Sequence, residues 1–204
     1  MSQVALITGG AVRVGRAISL ALADKGYDLA VSYNSSREPA KDLQKCLEKK
    51  GRKVLLLEGD LSYPKTIREL ASSFQDNFQQ LDLLVNNAAN FFSTPLLDID
   101  CDEWDKVMRI NSKGVFLGTR EVIPIMREVG GGSIINISSI CDEVAQAGYP
   151  HYIAAKGGVK MLTKAMALDL IDKNIRVNAL APGAVETATG FWHKDEFSQL
   201  REKV

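Results

Sequence analysis

The chain has 204 residues, enough for one domain with its own core, and its 25 basic and 25 acidic residues give a formal net charge of zero. Because these charges form no long basic or acidic run, nucleic acid and membrane surfaces are not expected partners. The widely spaced Cys46, Cys101 and Cys141 suit neither a disulfide framework nor a zinc cluster, which favours a cytoplasmic protein without a metal.

Short apolar runs alternate with amphipathic helical stretches along the chain, which is the pattern of βαβ units around a parallel sheet. The predicted strands are residues 4–8, 28–33, 53–58, 81–86, 133–138 and 175–181. The predicted helices are residues 14–25, 37–50, 64–78, 102–127 with a break near Asn111, and 152–173. Right-handed crossovers and a reversal after the third strand predict one doubly wound α/β (Rossmann) domain over residues 1–204, with strand order 3-2-1-4-5-6 and a ligand crevice at the switch point.

The first predicted strand leads into the turn Thr8-Gly9-Gly10-Ala11-Val12-Arg13-Val14-Gly15. Free backbone N–H groups and the dipole of the following helix favour a phosphate there, and glycine lets it approach closely. An ordinary strand-to-helix turn would explain a few glycines almost as often. Its position as the first βα turn favours a dinucleotide site with contacts from Gly9, Arg13, Val14 and Gly15.

The second predicted strand ends in Ser32-Tyr33-Asn34-Ser35-Ser36-Arg37, with no acidic residue before Glu38. NAD-binding folds place a carboxylate here to hold the ribose 2'-hydroxyl, and it would repel a 2'-phosphate. A cation at a helix N-terminus also opposes the helix dipole unless an anion is near. We therefore predict NADPH rather than NADH, bound near Tyr33, Asn34, Ser35 and Arg37. The alternative is that Arg37 is only a solvated residue of the helix's first turn.

Tyr152 and Lys156 stand four residues apart on a predicted helix, so both side chains share one face. An ammonium near a phenol lowers the tyrosine pKa and makes it a usable acid or base. This pair alone is common by chance, but Ser139 follows the fifth strand at the same crevice. His151 and His193 have no second ligand at metal spacing and are interpreted as surface or pocket residues.

These motifs, in this order, resemble the short-chain dehydrogenase/reductase family over essentially the whole chain. The resemblance rests on Thr8 to Gly15, Asp60-Leu61, Asn86-Asn87-Ala88-Ala89, Asn111, Ser139, Tyr152, Lys156 and Pro182-Gly183-Ala184-Val185-Glu186-Thr187. It implies an adenine pocket at Asp60 and Leu61, and further cofactor contacts from Asn87, Ala88, Pro182, Gly183, Val185 and Thr187.

The resemblance further implies hydride transfer from the nicotinamide to a carbonyl or imine carbon. Tyr152 would donate the proton, and Ser139 would hydrogen-bond the substrate oxygen. Lys156 would bind the nicotinamide ribose and stabilise the tyrosinate, and Asn111 would hold a water that connects Lys156 to bulk solvent.

Three departures from the family pattern accompany this resemblance. Arg13 and Ala89 replace glycines, and family members continue past the position of Val204. The resemblance therefore implies that the last helix and edge strand, which help to form the substrate pocket and a subunit interface, are missing. The helices at residues 112–127 and 152–173 are expected to pair in a homodimer or homotetramer.

The substrate class stays open between two branches of the family. The Ser139, Tyr152 and Lys156 set resembles the 3-oxoacyl-carrier-protein reductases, which makes a ketone the first hypothesis. Arg13, residues 87–96 and residues 148–152 are similar to the pteridine reductases, although that branch usually has aspartate at the position of Ser139. In this second hypothesis Arg13 contacts a pterin, and Phe91 or Phe92 stacks on it. Further alternatives are a non-catalytic NADP-binding regulator, against which the intact tetrad argues, and a fragment without function.

Overall fold

The structure is a computed structural model that describes residues 2–187. Within that range the strands are β1 (Val4–Ile7), β2 (Asp28–Tyr33), β3 (Val54–Glu58), β4 (Leu83–Asn86), β5 (Gly132–Ile137) and β6 (Ile175–Leu180). The α-helices are α1 (Arg13–Asp24), α2 (Arg37–Lys49), α3 (Pro64–Asn77), α4 (Cys101–Met108), α5 (Gly114–Glu128) and α6 (Pro150–Leu170). Short 3₁₀ turns cover Leu96–Asp98, Ile140–Asp142 and Ile171–Lys173, and a π-helical turn covers Arg109–Lys113.

All six strands run parallel in the order β3-β2-β1-β4-β5-β6, which confirms the predicted doubly wound sheet. The order in which strands are added to the sheet reverses between β1 and β4, which are parallel neighbours. In such folds the carboxyl ends of these two strands flank the ligand crevice. No helix among residues 2–187 is both long and apolar enough to cross a membrane.

The sheet is apolar along its strands because helices cover both of its faces. On one face, Leu6 and Leu84 pack with Phe74 and Met126 from α3 and α5. On the other, the strands pack against α1 and α2 through a second cluster of buried side chains: Ile7, Leu29, Val31, Ala23, Leu43 and Leu47. The alternation of β1 residues between these clusters holds the turn that follows β1 at the centre of the sheet.

The predicted helix over residues 102–127 is interrupted near Asn111, as expected. The structure has α4, the π-helical turn and then α5 in its place. Asn111 is fully buried in the wide turn, and its Nδ2 donates to the Val107 carbonyl at 3.0 Å. Such single π turns often occur at functional sites.

The start of α6 was predicted two residues late. The helix begins at Pro150 because proline, which lacks an N–H, is well accepted in the first turn. It ends through a 3₁₀ turn at Asn174, whose left-handed φ of 54° stops the helical path. The first turn of α6 therefore contains His151 and Tyr152, so the tyrosine lies at the N-terminus of this helix.

A chain of buried polar side chains joins the middle of the sheet to two helices. Asn86 of β4 and Asn136 of β5 are direct partners in the parallel register, and the Asn86 Nδ2 donates to the Asn136 Oδ1 at 2.8 Å. The same amide donates to Thr119 of α5, and the Asn136 Nδ2 donates to Thr163 of α6 at 2.9 Å. Paired in this way, the two buried amides are satisfied within the core.

Candidate active site

The turn after β1 is held by the segment that follows β4. The Thr8 Oγ1 accepts hydrogen bonds from the backbone N–H groups of Asn87 and Ala88, at 2.9 Å and 3.0 Å. The Asn87 Nδ2 in turn donates to the carbonyls of Thr8 and Gly9. The structure thus brings the predicted cofactor residues of both segments together at the switch point.

Two glycines of this turn cannot be replaced by another residue without strain. Gly9 has a φ of +62°, and a Cβ on Gly15 would lie 2.2 Å from the Gly9 carbonyl oxygen. The exposed Arg13 also adopts a left-handed φ, of 51°, where glycine is usual, and the half-buried Val14 follows it. The close backbone packing leaves the start of α1 open to a ligand's phosphate, so these residues fit a dinucleotide.

At the ends of β2 and β3, Tyr33, Arg37 and Glu58 form what we call the arginine end of the site. The Arg37 Nη2 lies 2.6 Å from the Glu58 Oε2, and the Tyr33 hydroxyl donates to the same oxygen at 3.2 Å. The hydrogen bond with Arg37 lowers the pKa of Glu58, and the same bond raises the pKa of Arg37. Burial, with help from Glu58, raises the pKa of Tyr33. Asn34 and Ser35 are exposed beside this cluster.

Leu61, next to the Asp60 that the resemblance assigns to an adenine pocket, lines an apolar cavity. The cavity reaches from Leu61 to Ala88 and Val115, and Asp60 is not among its lining residues. The Asp60 carboxylate instead accepts from the Ser62 N–H at 2.9 Å. Of the two residues predicted for the adenine pocket, only Leu61 lines the cavity, together with the predicted cofactor contact Ala88.

Ser139, Tyr152 and Lys156 come together as the tyrosine end of the site. Tyr152 is 8% exposed and Lys156 is 2% exposed. Burial raises the pKa of Tyr152, and a hydrogen bond with the Ser139 side chain partly offsets that rise. Burial also lowers the pKa of Lys156 to about 8, with Asp142 acting in the opposite direction. The Ser139 Oγ accepts from the Cys141 N–H at 3.2 Å.

The expectation that Lys156 lowers the pKa of Tyr152 is not met in this arrangement. The Lys156 Nζ donates to the Ile137 carbonyl at 2.7 Å and lies 5.6 Å from the centroid of the Tyr152 ring. The ammonium therefore faces the end of β5 and the tyrosine ring, and burial dominates the tyrosine pKa. In this state the phenol holds its proton.

Asn111 is committed to the loop after β4. Its Nδ2 donates to the Asn90 carbonyl at 2.9 Å, and its Oδ1 accepts from the Asn90 N–H at 3.2 Å. No hydrogen bond within residues 2–187 joins Asn111 to Lys156, although the π-helical turn packs against α6. The side chain thus clamps the loop that carries Phe91.

The segment after β6 lies beside Ser139. The Pro182 carbonyl accepts from the Ile140 N–H at 3.0 Å, and Gly183 is close to the Ile140 side chain. Val185 is exposed, and Thr187 is the last residue described. The predicted carboxamide segment therefore begins at the tyrosine end of the site.

The two phenylalanines expected near a pterin have different positions. Phe91 stacks on Tyr149 with ring centroids 4.6 Å apart and an interplanar angle of 7°, and it meets the Tyr152 ring edge-on at 4.8 Å. Phe92 instead packs edge-on against His151. Phe91 is thus the one beside Tyr152, whereas Phe92 packs against the histidine behind it.

Two charged or polar groups near the site escaped the sequence reasoning. Glu58 is the direct register partner of Tyr33 across β2 and β3, so aligning the ends of neighbouring parallel strands could have found it. His151 is fully buried, and its Nε2 lies 3.3 Å from the Glu103 Oε1 of α4. No signal in the sequence indicated that contact. His193 lies outside the described residues.

Among residues 2–187 no group of three or more His, Cys, Asp or Glu side chains is placed to hold a metal ion. The family model described as short chain dehydrogenase matches residues 3–195. The chain belongs to the short-chain dehydrogenase family. It is therefore an oxidoreductase that acts on CH–OH and C=O groups, and its family binds a nicotinamide cofactor.

Named relatives of this short-chain dehydrogenase are reductases and dehydrogenases. The 3-oxoacyl-acyl-carrier-protein reductase FabG of Staphylococcus epidermidis is 34% identical over 205 residues, which cover 100% of this chain and 84% of that protein. The acetoin dehydrogenase of Enterobacter cloacae superimposes with a TM-score of 0.88 and 35% identity, over 92% of this chain and 75% of that one. A gluconate 5-dehydrogenase of Burkholderia cenocepacia, in complex with NADP and tartrate, gives a TM-score of 0.84 and 34% identity, over 91% and 72% of the chains.

Proposed function

We propose that this short-chain dehydrogenase is an NADPH-dependent reductase that converts a ketone to an alcohol, with Tyr152 as the general acid. The observation that carries the proposal is the buried Tyr152, which keeps its proton and has the Ser139 side chain within hydrogen-bonding reach. A proton donor must be protonated at the working pH, and burial ensures this for a phenol. Both hydroxyls can then contact one substrate oxygen.

The residues of the turn fit the proposed cofactor, which supplies a hydride when bound. The close packing at Gly9 and Gly15 leaves backbone N–H groups at the start of α1 for phosphates. Tyr152 delivers a proton to the oxygen while the carbonyl carbon is reduced, so C=O becomes CH–OH and Tyr152 is left as a tyrosinate. The Lys156 Nζ lies 5.6 Å from the centroid of the Tyr152 ring, so its positive charge offsets part of the cost of that tyrosinate without overcoming the effect of burial.

The preference for NADPH rests on the arginine end. Arg37 uses Nε and Nη2 to bind Glu58, and its Nη1 makes no hydrogen bond within residues 2–187. A 2'-phosphate could take that nitrogen, because a guanidinium binds two anions through different edges. NADP is also the cofactor in the gluconate 5-dehydrogenase complex, which supports the choice. The Glu58 carboxylate repels a 2'-phosphate, so the attraction between Arg37 and the phosphate has to exceed that repulsion.

A 3-oxoacyl thioester or a similar ketone is the first proposed substrate class, supported by the name of the staphylococcal relative. A dihydropterin is the second. It is favoured by the stacked Phe91 and Tyr149 rings beside Tyr152, which place aromatic side chains next to the proposed acid, and by the arginine in the cofactor turn. A regulator without activity would have no use for a buried acid and its lysine.

The experiment that tests this proposal is NADPH oxidation by the purified chain, with a 3-oxoacyl thioester, a small ketone and a dihydropterin as substrates. We expect kcat/KM to be highest for the thioester and to be at least about tenfold lower when NADH replaces NADPH. A higher value with the dihydropterin would select the second substrate class. Binding of NADPH without turnover of any of the three would favour the regulator.

The same proposal includes an oligomer in the cytoplasm. The helices that were predicted to pair carry exposed apolar residues: Phe116 on α5, and Met161 and Leu168 on α6. All three cysteines are free, as expected in a reducing compartment. Light scattering at micromolar concentration should give the mass of a dimer or tetramer, and a monomer would contradict the predicted assembly.

A further inference from the structure

A buried histidine, the chain neighbour of Tyr152, lies against a half-buried glutamate. His151 of α6 has no exposed surface, and its Nε2 faces the Glu103 Oε1 of α4 at 3.3 Å. Both atoms are buried, and neither has a hydrogen bond of ordinary geometry to any residue in the described range. Burying a carboxylate oxygen and a ring nitrogen costs free energy unless they interact, so their contact calls for an explanation.

The other ring nitrogen of His151 holds the backbone of the tyrosine. The Tyr152 N–H donates to the His151 Nδ1 at 2.9 Å. The first N–H groups of a helix have no partner within the helix, and the N-cap residue of α6, Tyr149, makes no side-chain capping bond. The imidazole therefore substitutes for the missing cap at the residue that carries the phenol.

These two contacts determine which nitrogen carries the proton. Since Nδ1 accepts a hydrogen bond, a neutral imidazole has its proton on Nε2, which lies 3.3 Å from the Glu103 Oε1. The Glu103 oxygen thus selects the tautomer that can accept from the Tyr152 N–H. The arrangement runs from the carboxylate through the ring to the backbone of Tyr152.

The backbone of Glu103 is itself fixed. Asp100 caps α4 by accepting from the Glu103 N–H at 2.7 Å, which gives the Asp-x-x-Glu spacing of a capping box. In such a box the glutamate returns to the N–H of the cap residue, yet no hydrogen bond among residues 2–187 joins the Glu103 side chain to Asp100 in this way. The carboxylate is directed to His151 instead, with Phe92 packed edge-on against the ring.

We propose that Glu103 and His151 are positioning residues for Tyr152: the carboxylate holds the imidazole, and the imidazole holds the first turn of α6 so that the phenol stays at the substrate oxygen. This inference rests on the proposed role of Tyr152 as the general acid. A small displacement of a proton donor lowers turnover by about one or two orders of magnitude, whereas a cofactor that binds elsewhere is held as before. The pair should therefore affect kcat more than cofactor affinity.

The two contacts can be separated by substitution. His151→Asn keeps an oxygen near the position of Nδ1 and loses the contact with Glu103, whereas His151→Gln reaches toward Glu103 and loses the acceptor for the Tyr152 N–H. Glu103→Ala removes the carboxylate alone. Asp102→Ala is the matched control, because Asp102 is an exposed acid in the same turn of α4.

We expect Glu103→Ala and His151→Asn each to lower kcat by about tenfold while the NADPH dissociation constant changes less than about twofold. The double variant should lose no more than either single variant, because both changes break one connection. His151→Gln should lose at least as much as His151→Asn, and Asp102→Ala should behave as the unmodified protein. Assays run well below the melting temperature of each variant separate this effect from a loss of folded protein.

Multiplicative losses in the double variant, or kcat unchanged in Glu103→Ala, would overturn the positioning role. So would a decrease in melting temperature with normal turnover, which is what a purely structural pair would give. Tyr152→Phe, assayed in parallel, distinguishes the two levels of inference. If that variant is inactive while Glu103→Ala is normal, only the positioning role fails; if it turns over normally, the proposed acid and the role built on it fail together.

Discussion

At the tyrosine end of the site, Tyr152 and Lys156 are almost fully buried, whereas at the arginine end the side chains of Arg37 and Glu58 are 60% and 44% exposed. Burial is the largest cause of the pKa shifts at the first end, and a hydrogen bond between the partners is the largest cause for Arg37 and Glu58. Burial away from water changes a side chain's affinity for a proton strongly, and this effect is insensitive to salt. The interaction between two exposed charges is weak and is screened by salt.

This contrast matches what each end is proposed to do. A proton donor has to keep a defined protonation state, which a dry pocket provides at a cost in stability. A group that selects between two cofactors has only to present charge, and an exposed pair can do so without that cost. Substitutions at the tyrosine end should therefore have larger effects on turnover and stability than substitutions at the arginine end.

The largest effect is expected for Tyr152→Phe. The ring still packs against Phe91 while the transferable proton is gone, so kcat should fall by about 10²–10⁴-fold with little change in the NADPH dissociation constant. Steady-state kinetics and fluorescence titration with NADPH would measure the two quantities. Turnover comparable to that of the unmodified protein would show that the buried phenol is not the acid.

Arg37→Asp should reverse the cofactor preference. It replaces the guanidinium by a second carboxylate beside Glu58, and we expect the ratio of kcat/KM for NADPH over NADH to fall by at least about tenfold. Lys45→Asp makes the same charge change at an exposed position two turns further along α2 and serves as the control. Glu58→Gln should move the ratio a few-fold toward NADPH, less so at high salt. Equal affinity of the unmodified protein for both cofactors would refute the NADPH prediction.

The buried lysine predicts that stability rises with pH above neutrality. The pKa of Lys156 is lowered from 10.5 to about 8 in the folded protein, so the unfolded chain binds more protons between these values. Stability must then rise with pH in that window, while below about pH 8 the cost of burial is fully present. We expect the free energy of unfolding to gain about 1–2 kcal/mol from about pH 7.5 to about pH 9.5.

Denaturant unfolding of Lys156→Met measures this contribution, because methionine fills similar space without a charge. Its stability relative to the unmodified protein should be greatest near neutral pH and should decline as the pH rises. Lys164→Met, at an exposed position two turns further along α6, should keep the original slope. If the free energy of unfolding changed with pH in the same way for Lys156→Met and the unmodified protein, the lysine would not be desolvated.

The smallest effect concerns Arg13, whose left-handed backbone is unfavourable for a residue with a Cβ. Arg13→Gly should raise the free energy of unfolding by about 0.5–1 kcal/mol and should weaken NADPH binding. Asn174→Gly is the control, since Asn174 has a φ of 54° far from the turn and should leave cofactor binding unchanged. Tighter NADPH binding by Arg13→Gly would argue that the arginine has no role in holding the cofactor.

The strand order could be predicted because each strand is marked by its own apolar run and the handedness of crossovers leaves few topologies. Tyr152, Lys156 and Ser139 were predicted as one site from spacing and resemblance, and the structure brings the three side chains together. Glu58 was missed because its closeness to Arg37 depends on the register of β2 against β3 rather than on any local pattern. The direction of the Tyr152 pKa shift was wrong for a similar reason, since it depends on burial and on where the Lys156 side chain points.

The contact between Glu103 and His151 lies further still from what a sequence reveals. Asp100 and Glu103 have the spacing of a capping box, which predicts a local role for the glutamate. Its observed partner is nearly fifty residues away on another helix, and only the packing of α4 against α6 brings the two together. Side-chain choices of this kind follow from tertiary structure.

The paired amides of Asn86 and Asn136 have a consequence for how the sheet is assembled. Parallel strands far apart in sequence find each other slowly, and apolar strands such as β4 and β5 could pair in several registers. A shift of one residue would turn each amide to the opposite face, away from Thr119 and Thr163, and leave it buried without a partner. The two amides therefore disfavour misaligned pairing of β4 and β5, because such a pairing leaves buried amides without hydrogen bonds. Only the correct register is stabilised when α5 and α6 pack over the sheet.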